Sequence, residues 1–229
     1  MSKTIAILGT GTGLGTSVAR RFGREGYRVA LVARTRERLE ALAAQLTAEG
    51  VEAAAFPADL SRPADVRAAL AAIGHVDVLE YAPITTEGFT AAAELTVEKL
   101  RPYADTYLFG LVEAVQAVLP AMLERGDGAI LVGQGVSAVH PRPYLSGLGP
   151  VMAAARNYVH SLHAELADRG VYAGVVHVAA LIKRSAGEAS LPAGIDPATI
   201  PSIDPDDIAD ALWSMATKRD EIERLLPEA

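Results

Sequence analysis

Thr4-Ile5-Ala6-Ile7-Leu8 runs straight into Gly9-Thr10-Gly11-Thr12-Gly13-Leu14-Gly15, and this junction decides the fold. The apolar run reads as a buried strand, and glycines at four alternate positions leave a backbone that another group can approach closely. The segment from Thr16 to Gly26 has helical periodicity, so the order is strand, glycine turn, helix N-terminus. Free N–H groups and the helix dipole at such a junction favour a phosphate, which predicts a dinucleotide.

Working outward, strand-like runs recur at Ile5 to Leu8, Arg28 to Val32, Ala53 to Phe56, Val76 to Tyr81, Ala129 to Val132 and Val171 to Val178. Helix-period segments lie between them at 16–25, 35–49, 62–73, 94–101 with 103–125, and 149–169, several stopping at glycines such as Gly26, Gly50, Gly126 and Gly170. This alternation predicts an α/β fold, a Rossmann-type doubly wound parallel sheet with helices on both faces. A chain of 229 residues fits one domain over 1–229. The stretch 183–202 is rich in Pro, Gly, Ser and Ala without periodicity and reads as a flexible loop or lid within that domain. Asp204-Pro205 then opens a last helix to about Thr217, with Asp204 as N-cap and Asp206 and Asp207 in its first turn.

Composition narrows the partner. A formal charge of -7 argues against a nucleic-acid or anionic-membrane surface, either of which would call for a basic stripe. There is no cysteine, hence no disulfide framework, thiol nucleophile or thiolate metal site. The first strand begins by Thr4, which leaves no room for a signal peptide, and no apolar run approaches the length of a membrane span. The expectation is a soluble, cytoplasmic protein with a small-molecule partner and no metal.

The end of the second strand bears on the choice of dinucleotide. NAD-preferring folds place an acidic residue about twenty residues past the glycines for the ribose 2′-hydroxyl. Here the chain reads Val32-Ala33-Arg34-Thr35-Arg36, and a guanidinium suits a 2′-phosphate, which points to NADP(H). The alternative is that both arginines sit on the solvated first turn of a helix. Asp59, in Ala58-Asp59-Leu60, could accept a bond from the adenine amino group or lead into a Ser61-capped helix. The cofactor-binding set is therefore Gly9, Thr10, Thr12, Gly13, Leu14, Gly15, Arg34, Thr35, Asp59 and Leu60.

Over nearly its full length the sequence resembles the short-chain dehydrogenases/reductases. The resemblance rests on Gly9, Gly13 and Gly15 in a TGxxxGxG pattern with Leu8 in place of the threonine, on Asp59-Leu60, and on Val76-Asp77-Val78-Leu79. It extends to Gln116-Ala117-Val118-Leu119-Pro120-Ala121-Met122 and to the Ala153-Ala154 to Glu165-Leu166 register of the next helix. It implies a seven-stranded sheet and assembly as a homodimer or homotetramer through helices 103–125 and 149–169. It also implies carbonyl reduction by a tyrosine, lysine, serine and asparagine, yet the corresponding positions hold Leu148, Met152, Gly135 and Tyr107. The family's NNAG turn corresponds to Glu80-Tyr81-Ala82-Pro83, its Pro-Gly after strand six to Val178-Ala179, and its carboxamide-bonding threonine to Lys183.

A general acid must be protonatable and within reach of the reacting oxygen, which Leu and Met are not. Substitute candidates are Tyr107, Gln134, His140 and Tyr144. The first three have a plain structural alternative: a satisfied core tyrosine, an amide fixing the turn Gly133-Gln134-Gly135, an exposed loop imidazole. Lys183-Arg184 could attract an acidic group or be solvated, and His160 and His163 would decorate an oligomer-forming helix. The expected function is a repurposed small-molecule enzyme of cyclase, isomerase or lyase type acting on a small hydrophobic molecule. The alternatives are a catalytically silent NADP(H)-binding sensor or partner subunit, and an NADPH-dependent carbonyl reductase with a replaced proton donor.

Overall fold

In the computed structural model, which describes residues 2–85, 90–189 and 200–227, the alternation of apolar runs and amphipathic segments becomes a parallel sheet between helices. In chain order the elements are β1 (Thr4–Leu8), α1 (Leu14–Arg24), β2 (Arg28–Ala33), α2 (Arg36–Ala48), β3 (Ala53–Pro57), α3 (Pro63–Ile73) and β4 (Val78–Tyr81). They continue with α4 (Val97–Ala104), a π-helical turn (Asp105–Phe109), α5 (Gly110–Arg125), β5 (Gly128–Gly135), α6 (Leu148–Leu166) and β6 (Val171–Val178). The last part holds β7 (Leu181–Ile182), α7 (Ala186–Ala189), β8 (Ser202–Ile203), α8 (Pro205–Lys218) and β9 (Glu223–Leu226).

The main sheet has seven strands in the order β3-β2-β1-β4-β5-β6-β9, every pair parallel. Both faces are covered, so β1 and β6 are buried at every residue. Alternation along β1 divides the core: Ile5 and Ile7 pack with α1, α2 and α8, while Ala6 and Leu8 pack with α3, α5 and α6. From β1 the chain builds first toward β2 and β3, then returns to β4 on the other side. The loops leaving β1 and β4 therefore diverge and open a crevice at the carboxyl ends of the central strands.

Most element boundaries agree with the sequence pattern, and the differences have local causes. β4 begins at Val78 rather than Val76; Asp77 just before it still bonds both neighbouring strands through its backbone, and its carboxylate accepts the Thr4 N–H at 2.7 Å. β5 runs on through Gly133-Gln134-Gly135, which pair with Val176, His177 and Val178 and are therefore strand rather than turn. Ser61 does not cap α3; its hydroxyl donates to Asp59 at 2.8 Å, and Arg62 holds the cap position. Asp204 does cap α8, accepting the Asp206 N–H at 2.9 Å.

The helix expected over 103–125 is instead a continuous path from Val97 through Pro102, with the π-helical turn in its middle. Contrary to the expectation of no such segment, Val97–Arg125 has the length and apolarity of a membrane-crossing helix by composition. Its buried residues Leu111, Val115, Val118 and Met122 lie against the sheet. Of the expected loop or lid at 183–202, residues 190–199 lie outside the described residues; α7 and β8 flank them.

Candidate functional site

The glycine turn after β1 is held by its own side chains. Thr10 donates its hydroxyl to the Ile7 carbonyl at 2.7 Å and accepts the Val32 N–H at 3.2 Å, which ties the turn to β2. Gly9 has φ +99°, and a Cβ there would lie 2.7 Å from Pro83. At Gly15 a Cβ would lie 2.8 Å from Thr10 Cα, and at Gly13 2.9 Å from Ser185 Cβ. Three of the four glycines are thus required by the protein's own packing. Gly11 differs, since a Cβ there would meet nothing closer than 3.9 Å.

α1 starts at Leu14 with no side-chain cap on Gly13 and no acidic residue in its first turn. Its first two residues, Leu14 and Gly15, line a cleft of about 270 Å³ at the switch point of the sheet, while the Thr16 N–H is taken by the Gly11 carbonyl at 3.2 Å. The cleft runs from the glycine turn past Ala82 to Thr85, after β4, to the ends of β5 and β6. Its far wall contains Tyr107, Gln134, Gly135, Leu148 and Met152. The cradle fits the phosphates of a dinucleotide: an uncapped helix start, an open backbone at Gly11 and no carboxylate in the first turn.

Residues 3–186 match the short chain dehydrogenase family. The chain belongs to the short-chain dehydrogenases. It is 31% identical over 237 residues to the Danio rerio protein "Dehydrogenase/reductase SDR family member 7B", covering 96% of this chain and 76% of that relative. Among solved structures it is similar to a short-chain dehydrogenase from Sphingobium yanoikuyae in complex with NADPH. That match has 30% identity and a TM-score of 0.81, covering 98% of this chain and 88% of the other. An alcohol dehydrogenase from the archaeon Thermococcus sibiricus, complexed with 5-hydroxy-NADP, matches over 100% of both chains at 27% identity and a TM-score of 0.84.

In this short-chain dehydrogenase the four positions that sequence register assigned to the family's catalytic groups do converge. Tyr107, Gly135, Leu148 and Met152 all line the one cleft, the last two a single turn apart on α6. Tyr107 is 7% exposed and comes from the π-helical turn; the phenol of Tyr81 bonds the Thr106 carbonyl in the same turn. Gln134 lines the cleft at 8% exposure, yet its Nε2 is buried and has no hydrogen-bond partner among the described residues.

His140 and Tyr144 are not brought to the site. Both are exposed, Tyr144 at 63% and with φ 67°, and neither lines the cleft, because the segment between β5 and α6 carries them outward. Arg34 is exposed beyond β2 and forms no ion pair among the described residues. Arg36, by contrast, begins α2 and reaches Glu40 at 3.4 Å. Thr35 holds the cap position of α2 without a side-chain bond, and Leu60 is buried.

The segment after β6 closes over the glycine turn. Thr12 donates its hydroxyl to the Arg184 carbonyl at 3.0 Å, and Ser185, Ala186 and Gly187 line the cleft. Arg184 is not free for an acidic ligand, since it pairs with Asp204 at 2.7 Å and Asp206 at 3.2 Å.

Two polar features escaped sequence reasoning. His160, half-buried on α6, shares a 2.7 Å bond with Glu223, which also accepts from Arg156 at 2.6 Å and lies 3.6 Å from the buried His177. Burial opposes a charge on Glu223, but the bonds from Arg156 and His160 outweigh it and hold the carboxyl at about 2. His163 likewise turns inward to the Ala173 carbonyl at 2.8 Å. The second feature is Glu80, 1% exposed within β4, whose carboxyl burial pushes up to about 8. A glutamate inside the otherwise apolar run Val78-Leu79-Glu80-Tyr81 was the available signal. Among the described residues no group of three or more His, Cys, Asp or Glu side chains could hold a metal ion.

Proposed function

We propose that this chain holds NADP(H) along the glycine turn, with Arg34 at the 2′-phosphate, and works on a small hydrophobic molecule by chemistry other than Tyr-Lys carbonyl reduction. The reading is of a repurposed enzyme of cyclase, isomerase or lyase type. One observation carries it: the wall where a proton donor and its lysine would stand consists of Leu148 and Met152, beside Gly135. An apolar wall with a phenol at Tyr107 and an amide at Gln134 suits an apolar molecule bearing a single polar group. The choice of NADP(H) is supported by the exposed guanidinium of Arg34, which has no ion pair among the described residues, and by the NADPH and 5-hydroxy-NADP carried by the two related structures. When bound, the dinucleotide supplies a hydride donor or acceptor; the residues of this chain bind it, orient the second molecule and exclude water.

Calorimetry with NADPH and NADH tests the cofactor half. Tighter binding of NADPH supports the reading, and binding of neither removes it. A panel of apolar ketones, enones and hydroxy compounds, followed by product analysis with and without NADP(H), tests the chemistry.

A second reading follows from Tyr107. Its place in the cleft wall suits an NADPH-dependent carbonyl reductase with a replaced proton donor. That reading requires carbonyl-dependent loss of NADPH absorbance that Y107F abolishes. A protein that binds NADPH and turns over nothing would instead be the catalytically silent sensor or partner subunit.

A further inference from the structure

Glu80 places a carboxyl where the sheet otherwise offers apolar surroundings. It is the penultimate residue of β4, in register with Ile7 on β1 and Leu131 on β5. Its face of the sheet is the one covered by α1 and α8, which bury Val18, Phe22, Ile208 and Leu212 there. Its position relative to the cleft follows from Gly133. A Cβ built on Gly133 would lie 3.0 Å from Ala82 Cβ, 3.3 Å from Leu14 Cδ2 and 3.9 Å from Glu80 Oε1. Leu14, Ala82 and Gly133 all line the cleft. The carboxyl therefore lies one layer beneath the cleft floor, close under the first residue of α1. Oε1 is buried and has no hydrogen-bond partner among the described residues.

Among the described residues no charged group compensates it. β1 and β5 carry no charged residues. On α1, Arg20 turns to Glu49 at 2.8 Å and Arg21 to Asp210 of α8 at 2.6 Å, while Arg24 is exposed. On α8, Asp206, Asp207 and Lys218 are exposed as well. Desolvation accordingly favours the neutral acid, and the carboxyl is pushed up to about 8. In the neutral form it leaves the N-terminal field of α1 intact. Ionised, it would set a negative charge in a low-dielectric layer close to where phosphates are to be received.

We propose that Glu80 is a proton-linked positioning residue of the glycine-turn site: an ionised Glu80 and a bound pyrophosphate disfavour one another, so a dinucleotide arriving at the ionised protein binds with uptake of one solvent proton onto this carboxylate. No covalent bond of the ligand changes; the proton passes from buffer to a Glu80 oxygen. The inference rests on the dinucleotide reading of the cleft. Two unit charges about 10 Å apart, with an effective dielectric constant of about 20, are coupled by roughly tenfold in affinity.

The test is calorimetry of NADP⁺ binding to the full chain and to E80Q, in buffers of differing ionisation enthalpy, across pH 6 to 9. The wild type is expected to take up about half a proton per dinucleotide near pH 8.5 and essentially none near pH 6. Its dissociation constant should rise up to about tenfold over that range relative to E80Q, which should show no such uptake. Equal proton uptake in both proteins, or a ratio of dissociation constants independent of pH, overturns the inference while leaving the site intact. If neither protein binds at pH 6, the dinucleotide reading fails and the inference falls with it. E80L serves as a second neutral variant should E80Q fold poorly, and it should match E80Q.

Discussion

Ser185 rests directly on Gly13: a Cβ at position 13 would lie 2.9 Å from Ser185 Cβ and 3.2 Å from its Cα. The segment after β6 and the glycine turn therefore meet at backbone distance, and the Thr12 bond to the Arg184 carbonyl at 3.0 Å joins them again. Glycine at 13 is needed for this closure, whatever else the turn holds.

Alanine substitutions along the turn should separate packing from binding. G15A forces a Cβ to 2.8 Å from Thr10 Cα, a backbone atom, and should cost about 1–3 kcal/mol in urea unfolding. G11A, with nothing closer than 3.9 Å, should stay within about 0.5 kcal/mol of the wild type. Because position 11 lines the cleft, G11A should nevertheless weaken NADPH binding about tenfold. Equal stability of the two variants would contradict the packing account.

Arg34 should set the choice of dinucleotide. R34A removes an exposed guanidinium that pairs with nothing among the described residues, so the fold should be indifferent. NADPH affinity measured by calorimetry should fall by about 10- to 100-fold, in line with loss of a charge-assisted contact, and NADH affinity should not change. Equal losses for both would place the adenosine end elsewhere.

The carboxyl of Glu80 makes stability depend on pH. It rises from an ordinary 4.5 to about 8 on folding, so the unfolded chain releases this proton first. Its contribution to stability is full below about pH 4.5 and is lost as the pH rises toward 8. E80Q has no proton to lose, so it should gain about 1–3 kcal/mol on the wild type at pH 8, with the gain vanishing near pH 4. Chemical denaturation at the two pH values checks this, and a gain of the same size at both would remove ionisation as its cause.

Alternation of strand and helix was legible wherever the apolar run was continuous, and Val171 to Val178 is placed to the residue. β9 was not, because an edge strand that begins Glu223-Arg224 has charged residues where a central strand has apolar ones. The cofactor turn was legible from Gly9 to Gly15 because a close approach demands glycine. What it was close to beyond its own residues, Pro83 and Ser185, depended on chain distant in sequence. The cleft wall was legible as the set Tyr107, Gly135, Leu148 and Met152, because the resemblance to the family carries its spacing onto these four positions. His140 and Tyr144 were misplaced because nothing in their own segment says which way it leaves β5. Glu80 went unread because its meaning is burial, a property of the assembled sheet, and the Glu223 cluster because its partners come from α6 and β6, far off in sequence.

Rebuilding the donor should recover what the wall lacks. A Cβ at 135 would lie 3.5 Å from Met152 Cε, an ordinary contact, so a serine is admissible there. The variant G135S/L148Y/M152K should gain NADPH-dependent reduction of apolar ketones at least about 10²-fold above the parent, the lower range for one well-placed general acid. No gain with NADPH bound would show that the wall is not what limits the parent.

The most direct test of the central claim is the absorbance of NADPH bound to the wild-type protein while apolar carbonyl compounds are added in excess. The account predicts that the nicotinamide signal persists, because the groups facing it include Leu148 and Met152 in place of a proton donor and its lysine. Carbonyl-dependent loss of that signal at rates of about 1 s⁻¹ or more, ordinary for an enzyme, would contradict it.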